Sequence, residues 1–286
     1  PADLFVQETA SAAVTVRVEF LTSTGAAAAP PLDKQLSPLA LLELRDAVPA
    51  GAVTLIVTNA AGSAGRISAY ARVRDAASGD SWSIVDWSVF NAYRTSEAVR
   101  IPFADGRGAA PEKRRAVRTD AVGVSGRATT DVALFNPGTE DVRATMQVID
   151  SAGRITEKEL TLAARETRVL RDAGSSAYTT VAHLVVVPTR GDLVVTARSH
   201  RLAGNGTSGT AVPVLPSTAG LRIGQSRIFS GLEDSTSSTA AARTPATFQT
   251  SWGLVETGGA SAEIHARIIV DETSVLVSAV TSRTFQ

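Results

Sequence analysis

The segment DVALFNPGTEDVRATMQVIDSAG, residues 131–153, decides the fold, because two further stretches match it without a gap. Residues 3–25 read DLFVQETASAAVTVRVEFLTSTG, and residues 251–273 read SWGLVETGGASAEIHARIIVDET. Self-similarity of this kind marks a repeat protein. The second half of each copy alternates strictly between apolar and polar, the period of a half-buried strand. Val142, Ala144, Met146 and Val148 fall on one face, with Arg143, Thr145 and Gln147 on the other. Val14, Val16, Val18 and Phe20 repeat the pattern in the first copy, and Ala262, Ile264, Ala266 and Ile268 in the third.

A shorter apolar stretch precedes each alternating one: residues 4–6, 132–135 and 252–255. The connections ETASA, NPGTED and ETGGAS are rich in turn formers, so each pair reads as an antiparallel hairpin. The first two copies continue to match. LSPLALLELRD (36–46) aligns on LAARETRVLRD (162–172); Leu39, Leu41 and Leu42 fit the period of a strand or of a short helical turn, and the reading favoured is a strand with a turn after it. A second hairpin is expected from residues 53–58 and 67–74, matched by 181–187 and 193–199, with Gly62 and Gly65, or Pro188 and Gly191, as punctuation. An arginine recurs near the end of these strands at Arg72 and Arg198, and Arg283 stands in the corresponding place in the third copy. That third copy lacks the LRD piece and the strand before it. Either residues are missing, or a neighbouring subunit supplies a strand. Residues 25–31, 104–119 and 234–247 read as loops or linkers, and residues 82–103, 212–215 and 222–229 as connecting strands.

Composition narrows the function classes. The 286 residues carry 28 basic and 28 acidic side chains, which argues against a nucleic-acid surface or an anionic-membrane anchor as the main role. There is no cysteine, so disulfides and thiolate metal sites are excluded. No apolar run reaches the roughly 20 residues of a membrane helix. The chain starts at Pro1, the expectation for a processed form or a fragment.

Residue by residue, no chemistry stands out. His183 and Ser208 loosely suggest a serine-hydrolase pair, but too little chain separates them for a two-barrel arrangement and no acid accompanies them. His183, His200 and His265 are scattered, without the spacing of a zinc site. Asp75 and Asp80, or Glu233 and Asp234, could offer oxygen ligands to calcium, but read better as solvated loop acids. Trp82, Trp87, Phe90 and Tyr93 could stack on sugar rings. They engage both strand faces, however, which favours core packing and an inter-domain contact. Lys113, Arg114, Arg115 and Arg118 form a solvated basic cluster. Asn205-Gly206-Thr207 is a formal glycosylation sequon. Recurrence gives Arg72, Arg198 and Arg283 a structural role. No catalytic, cofactor-binding or metal-binding residue is therefore assigned, and no cofactor is expected.

FNPGTEDVRATMQVIDSAG, the LRD ending, VVTARSHRL, GTAVPVLP and TSWGLVETGGASAEIHARIIVD together resemble the tandem immunoglobulin-like repeats of large secreted bacterial surface proteins. The resemblance covers nearly the whole chain. It implies an all-β fold of tandem immunoglobulin-like antiparallel β-sandwich domains: two fuller units, residues 1–103 and 104–217, and a shortened one, 218–286. The expected role is a non-catalytic extracellular structural protein at the bacterial surface, a stalk or a self-assembling filament of identical subunits. Residues 1–6 and 275–285 are expected to cross between subunits. The alternative is a carbohydrate- or surface-binding adhesion module acting on a cell-surface glycan. No nucleic acid and no membrane span are expected.

Overall fold

The computed structural model describes residues 2–60, 64–85, 94–105, 124–150, 153–174, 181–203 and 205–216. The chain divides into two compact units, Pro1–Thr218 and Ala219–Gln286. The second unit lies outside the described residues. With it go the third copy, His265, Arg283, Glu233, Asp234 and the expected terminal strand 275–285.

The described residues are all-β and antiparallel. The strands are β1 (Ala2–Glu8), β2 (Val14–Leu21), β3 (Ala27–Leu36), β4 (Leu41–Leu44), β5 (Thr54–Asn59), β6 (Ile67–Arg74), β7 (Ser81–Val85), β8 (Arg94–Thr95) and β9 (Val99–Asp105). After them come β10 (Val124–Phe135), β11 (Val142–Asp150), β12 (Ile155–Leu162), β13 (Thr167–Leu170), β14 (Val181–Arg190), β15 (Leu193–Ala203), β16 (Gly206–Val212) and β17 (Leu215–Pro216). They form four sheets. Sheet I has the order β4-β1-β6-β7 and sheet II β3-β2-β5. Sheet III runs β13-β10-β15-β16, with β8 added to β15, and sheet IV runs β12-β11-β14-β9-β17. Among the described residues no helix is long and apolar enough to cross a membrane.

The four sheets do not take the expected immunoglobulin strand order. In a constant-type immunoglobulin sandwich the first strand lies beside the second. Here β1 lies between β4 and β6. The cores nevertheless join the sheets two by two. Leu4, Val6 and Ala69 of sheet I meet Val14, Val16, Val18, Phe20 and Leu36 of sheet II in one buried cluster. Val132, Leu134, Leu193 and Val195 of sheet III meet Val142, Ala144, Met146, Val148, Leu184 and Val186 of sheet IV in another. The alternating positions of the repeat are thus the inward faces of β2 and β11.

The hairpins differ from those expected. β1 and β2 lie in different sheets, as do β10 and β11, β5 and β6, and β14 and β15. Each expected hairpin is instead a crossing from one sheet to its partner. A period of two specifies which face is buried but not which strand is the neighbour, so ladder and crossing look alike in sequence. The real hairpins lie elsewhere, with β6 and β7 and β15 and β16 among them. β2 pairs β3 around Gly25 (φ 82°), and β11 pairs β12 around Gly153 (φ 78°). Residues 25–31, read as a linker, contain the start of β3. Its Pro30 and Pro31 fall where the register to β2 shifts, between Val18↔Leu32 and Phe20↔Ala29, a place where missing N–H groups are tolerated. The LRD piece is a strand followed by a turn, as expected, in both copies. β8 and β9, at residues 94–105, are hydrogen-bonded into sheets III and IV.

Two crossings are narrow enough to demand glycine. A Cβ on Gly191 (φ 80°) would lie 2.8 Å from Val142 Cγ2, and one on Gly65 would strike the matching Val14. Gly51 has the same left-handed backbone (φ 82°) but open space around it. Gly51→Ala should cost about 1–2 kcal/mol for the backbone alone. Gly191→Ala should cost roughly 1–3 kcal/mol more for the overlap with Val142. Urea-unfolding midpoints compare the two, and equal destabilisation would show that the Val142 contact is not made.

Candidate functional site

The polar residues shared by the first two copies form two recurring constellations. On the outer side of β1, Asp3 is buried at 1% exposure and sits opposite Arg72 of β6. Its carboxylate accepts from Arg72 Nη2 at 2.7 Å, Arg74 Nη2 at 3.2 Å and the Asp46 backbone N–H at 3.1 Å. Asp46 ends the first LRD in a left-handed conformation, φ 47°. In the second copy Asp131 of β10 sits opposite Arg198 of β15, and accepts from the Asp172 N–H at 2.9 Å. Asp172 ends the second LRD with φ 48°. The LRD motif is therefore a turn pinned by the first residue of the repeat.

The other constellation fills the crossing. Glu8 is fully buried at the inward end of β1 and accepts the backbone N–H groups of Ala10 (2.7 Å), Leu39 (2.8 Å) and Arg66 (3.3 Å). Asn136 holds the same place after β10. Its amide donates to the carbonyls of Glu140, Leu162 and Ala163 at 2.7–3.2 Å, and its Oδ1 accepts from the Gly138 N–H at 2.8 Å. A carboxylate meets donors and an amide meets mainly acceptors, as their chemistry requires.

The calcium candidates have a different use. Asp75 Oδ1 caps its own turn through the N–H groups of Ala77 and Ser78. Its Oδ2 accepts from both the N–H and the hydroxyl of Thr207, each at 2.8 Å. Ser78 Oγ donates to the Thr207 carbonyl at 2.6 Å, and Asp80 Oδ2 accepts from the Gly209 N–H at 2.8 Å and Arg198 Nη2 at 3.3 Å. These acids are not simply solvated: they clamp the β6–β7 turn onto β16. The sequon threonine is part of that clamp. Arg198 Cζ lies 3.4 Å from the centroid of the Trp82 ring, so this tryptophan faces the joint with its π-face covered. Trp87, Phe90, Tyr93 and the basic cluster 113–118 lie outside the described residues.

A second joint between the two sheet pairs lies at Thr167, whose N–H donates to the Ser23 carbonyl at 2.9 Å and whose hydroxyl meets that of Thr54. Arg165 Nη2 reaches Glu19 Oε2 at 2.8 Å.

His183 and Ser208 do not meet in one ladder: His183 is on β14 in sheet IV and Ser208 on β16 in sheet III, opposite Arg201. His183 is buried and, among the described residues, its Nε2 has no hydrogen-bond partner. His200 Nε2 and Thr129 Oγ1 are 3.4 Å apart. Among the described residues no three His, Cys, Asp or Glu side chains converge as a metal cluster. The sequence reading missed Asp3, Asp131, Glu8 and Asn136. Their signal was available, since each is a polar residue at the same two positions of an otherwise apolar strand copy. Comparison with known proteins found no matching family model, no matching curated protein and no matching solved structure.

Acid titration separates these groups. The Arg72 guanidinium and the Asp46 N–H, with Arg74 beside them, hold the Asp3 carboxyl at about 2 against an ordinary 3.8. Burial alone would raise Glu8, but the N–H groups of Leu39, Ala10 and Arg66 outweigh it and hold it at about 2. Burial, with Arg100 nearby, lowers His183 to about 4. All three bind protons more readily when unfolded, so all three lower stability as pH falls. His183 acts between its ordinary 6.5 and about 4, and the carboxylates act from about 4.5 down to 2. Denaturant midpoints measured from pH 7 to pH 2 should fall in two stages, and His183→Leu should remove only the upper one. A loss confined to pH below 4 in the wild type would contradict the histidine assignment.

Proposed function

We propose that the chain is a non-catalytic extracellular structural protein of the bacterial surface, in which β-sandwich modules follow one another as a stalk. The reading keeps the paired-sheet cores and drops the immunoglobulin strand order. One observation carries it: the two sheet pairs are held together at two separate joints, Asp75-Ser78-Asp80 on Thr207-Gly209-Arg198, and Glu19-Ser23-Thr54 on Arg165-Thr167. Domains in tandem move relative to one another by default. Two polar joints oppose that motion, which suits a spacer that must keep its length.

Assembly into a filament belongs to the same reading, but not through residues 1–6. β1 is laddered on both sides by β4 and β6, and Leu4 and Val6 are in its own core. The remaining candidate is residues 275–285. Small-angle scattering and light scattering of the full chain test both parts. Wild-type protein should show a single narrow distance distribution, and Thr207→Val/Glu19→Ala a broadened one. Equal distributions would remove the joints from the argument. Mass that rises with concentration supports filament assembly, whereas a constant monomer mass rejects it.

A second reading, glycan binding, has one observation on its side, and it is not the expected Trp82 region. Tyr70 stacks on Phe5 with ring centroids 4.6 Å apart, Arg72 lies 5.6 Å from the Phe5 centroid, and Tyr70 remains 43% exposed on the outer face of sheet I. A sugar ring stacks on such a face. A glycan array with wild type and Tyr70→Ala decides this: signals that do not depend on Tyr70 would reject the site.

A further inference from the structure

Sheets II and IV follow one plan, but among the described residues sheet II lacks the strand that β9 supplies to sheet IV. Val18 of β2 faces Val57 of β5 as Met146 of β11 faces Val186 of β14, and Phe20 faces Leu55 as Val148 faces Leu184. β14 carries β9 on its far side, with Leu184 opposite Ile101 and Val186 opposite Val99. Among the described residues no strand lies on the far side of β5, and sheet II ends there. Burial follows the difference. Leu184, Val186, Val99, Ile101 and Ala104 are fully buried in one core, whereas Leu55 and Val57 are only partly buried against theirs.

We propose that the free edge of β5 accepts an antiparallel strand from a second copy of this chain, and that the donated strand is residues 275–285. This contact rests on the filament reading and supplies its acceptor surface.

The edge is free to pair. The Ala60 N–H donates to the Thr15 carbonyl at 2.7 Å, on the β2 side. By the alternation of a strand, Thr58 and Ile56 also turn their backbone groups to β2, and Val57 and Leu55 turn theirs outward. β5 reads Thr-Leu-Ile-Val-Thr-Asn, with neither a charge nor a proline. The opposite edge of the same sheet, β3, carries two prolines with Asp33 and Lys34. Charge and proline keep foreign strands off an edge, so β5 is the side of sheet II left open to one.

β9 sets the chemistry of the occupant: an antiparallel strand that turns Val99, Ile101 and Ala104 to the core. Residues 275–285 read VLVSAVTSRTF. Val275, Val277 and Ala279 give the same apolar order at alternate positions, and no charge precedes Arg283 in the segment. The additional residue in β9 falls at its bulge, between the partners of Ala182 and Leu184. β9 also comes from the stretch just ahead of the copy that it completes. In a head-to-tail row of subunits, residues 275–285 of one subunit hold that place ahead of the first copy of the next.

Light scattering of the full chain, read as mass against concentration, tests the contact. Wild type should grow in mass. Thr58→Lys, which places a charge on the strand's exposed face, and Val57→Pro, which removes an N–H directed away from β2, should each hold the mass at the monomer. An excess of synthetic peptide 275–285 should do the same to wild type by capping β5. Urea midpoints of both variants are measured in parallel, so that a folding defect in one leaves the other decisive. Mass growth that survives both variants and the peptide leaves the filament reading standing and overturns the docking of 275–285 on β5. A wild-type mass that stays at the monomer rejects both.

Discussion

Where consecutive strands change sheet, as at β1–β2, β5–β6, β10–β11 and β14–β15, the crossing removes backbone groups from their ladders. Unmatched N–H and C=O groups in a buried corner are costly, about 1–3 kcal/mol each when left unsatisfied. Glu8 and Asn136 stand at the corners after β1 and β10 and supply the missing partners. Their side chains reach residues far along the chain, Leu39 and Arg66 from Glu8, Leu162 and Ala163 from Asn136. The Glu8 corner therefore ties three crossings together and the Asn136 corner two, and the pairing of sheets I with II and III with IV depends on them. Once the corners are set, inward faces of β2 and β11 meet β1 and β10, and apolar burial does the rest.

The two copies share this plan and then diverge at one residue. Arg72 faces Asp3 and binds it within its own sheet. Arg198 occupies the same register position opposite Asp131, yet its guanidinium lies over Trp82 and reaches Asp80 in the other sheet pair. Asp131 keeps a cation because Arg171, the arginine of the second LRD, pairs with it at 2.5 Å. In the first LRD Arg45 pairs with Glu43 instead. A substitution of partners, with no change of backbone, turns a repeated structural arginine into a joint residue. That economy explains how a repeat acquires a fixed neighbour without losing its own fold.

The period-two alternation made the buried faces of β2 and β11 legible, because burial is a property of single residues along a strand. The repeat made the LRD turn and the paired arginines legible as structural positions. Neighbour relations were not. ETASA and NPGTED satisfy the composition of a hairpin turn and of a crossing equally, and only the buried Glu8 and Asn136 distinguish them. β3 was hidden by Pro30 and Pro31, which a bulged edge tolerates and a central strand does not. Asp75 and Asp80 looked like loop acids because their partners, Thr207, Gly209 and Arg198, are more than a hundred residues away.

Strand edges and turn tips have opposite characters in this chain. β3 is an edge carrying two prolines with Asp33 and Lys34, and β12 is an edge carrying Glu157, Lys158 and Glu159. Charge and proline on an edge oppose the addition of a foreign strand. Turn tips, by contrast, make the contacts between the sheet pairs: 22–25 against 163–167, and 75–80 against 206–209. Edges that repel strand addition and tips that lock by polar contact direct the association of the sheet pairs toward the turns.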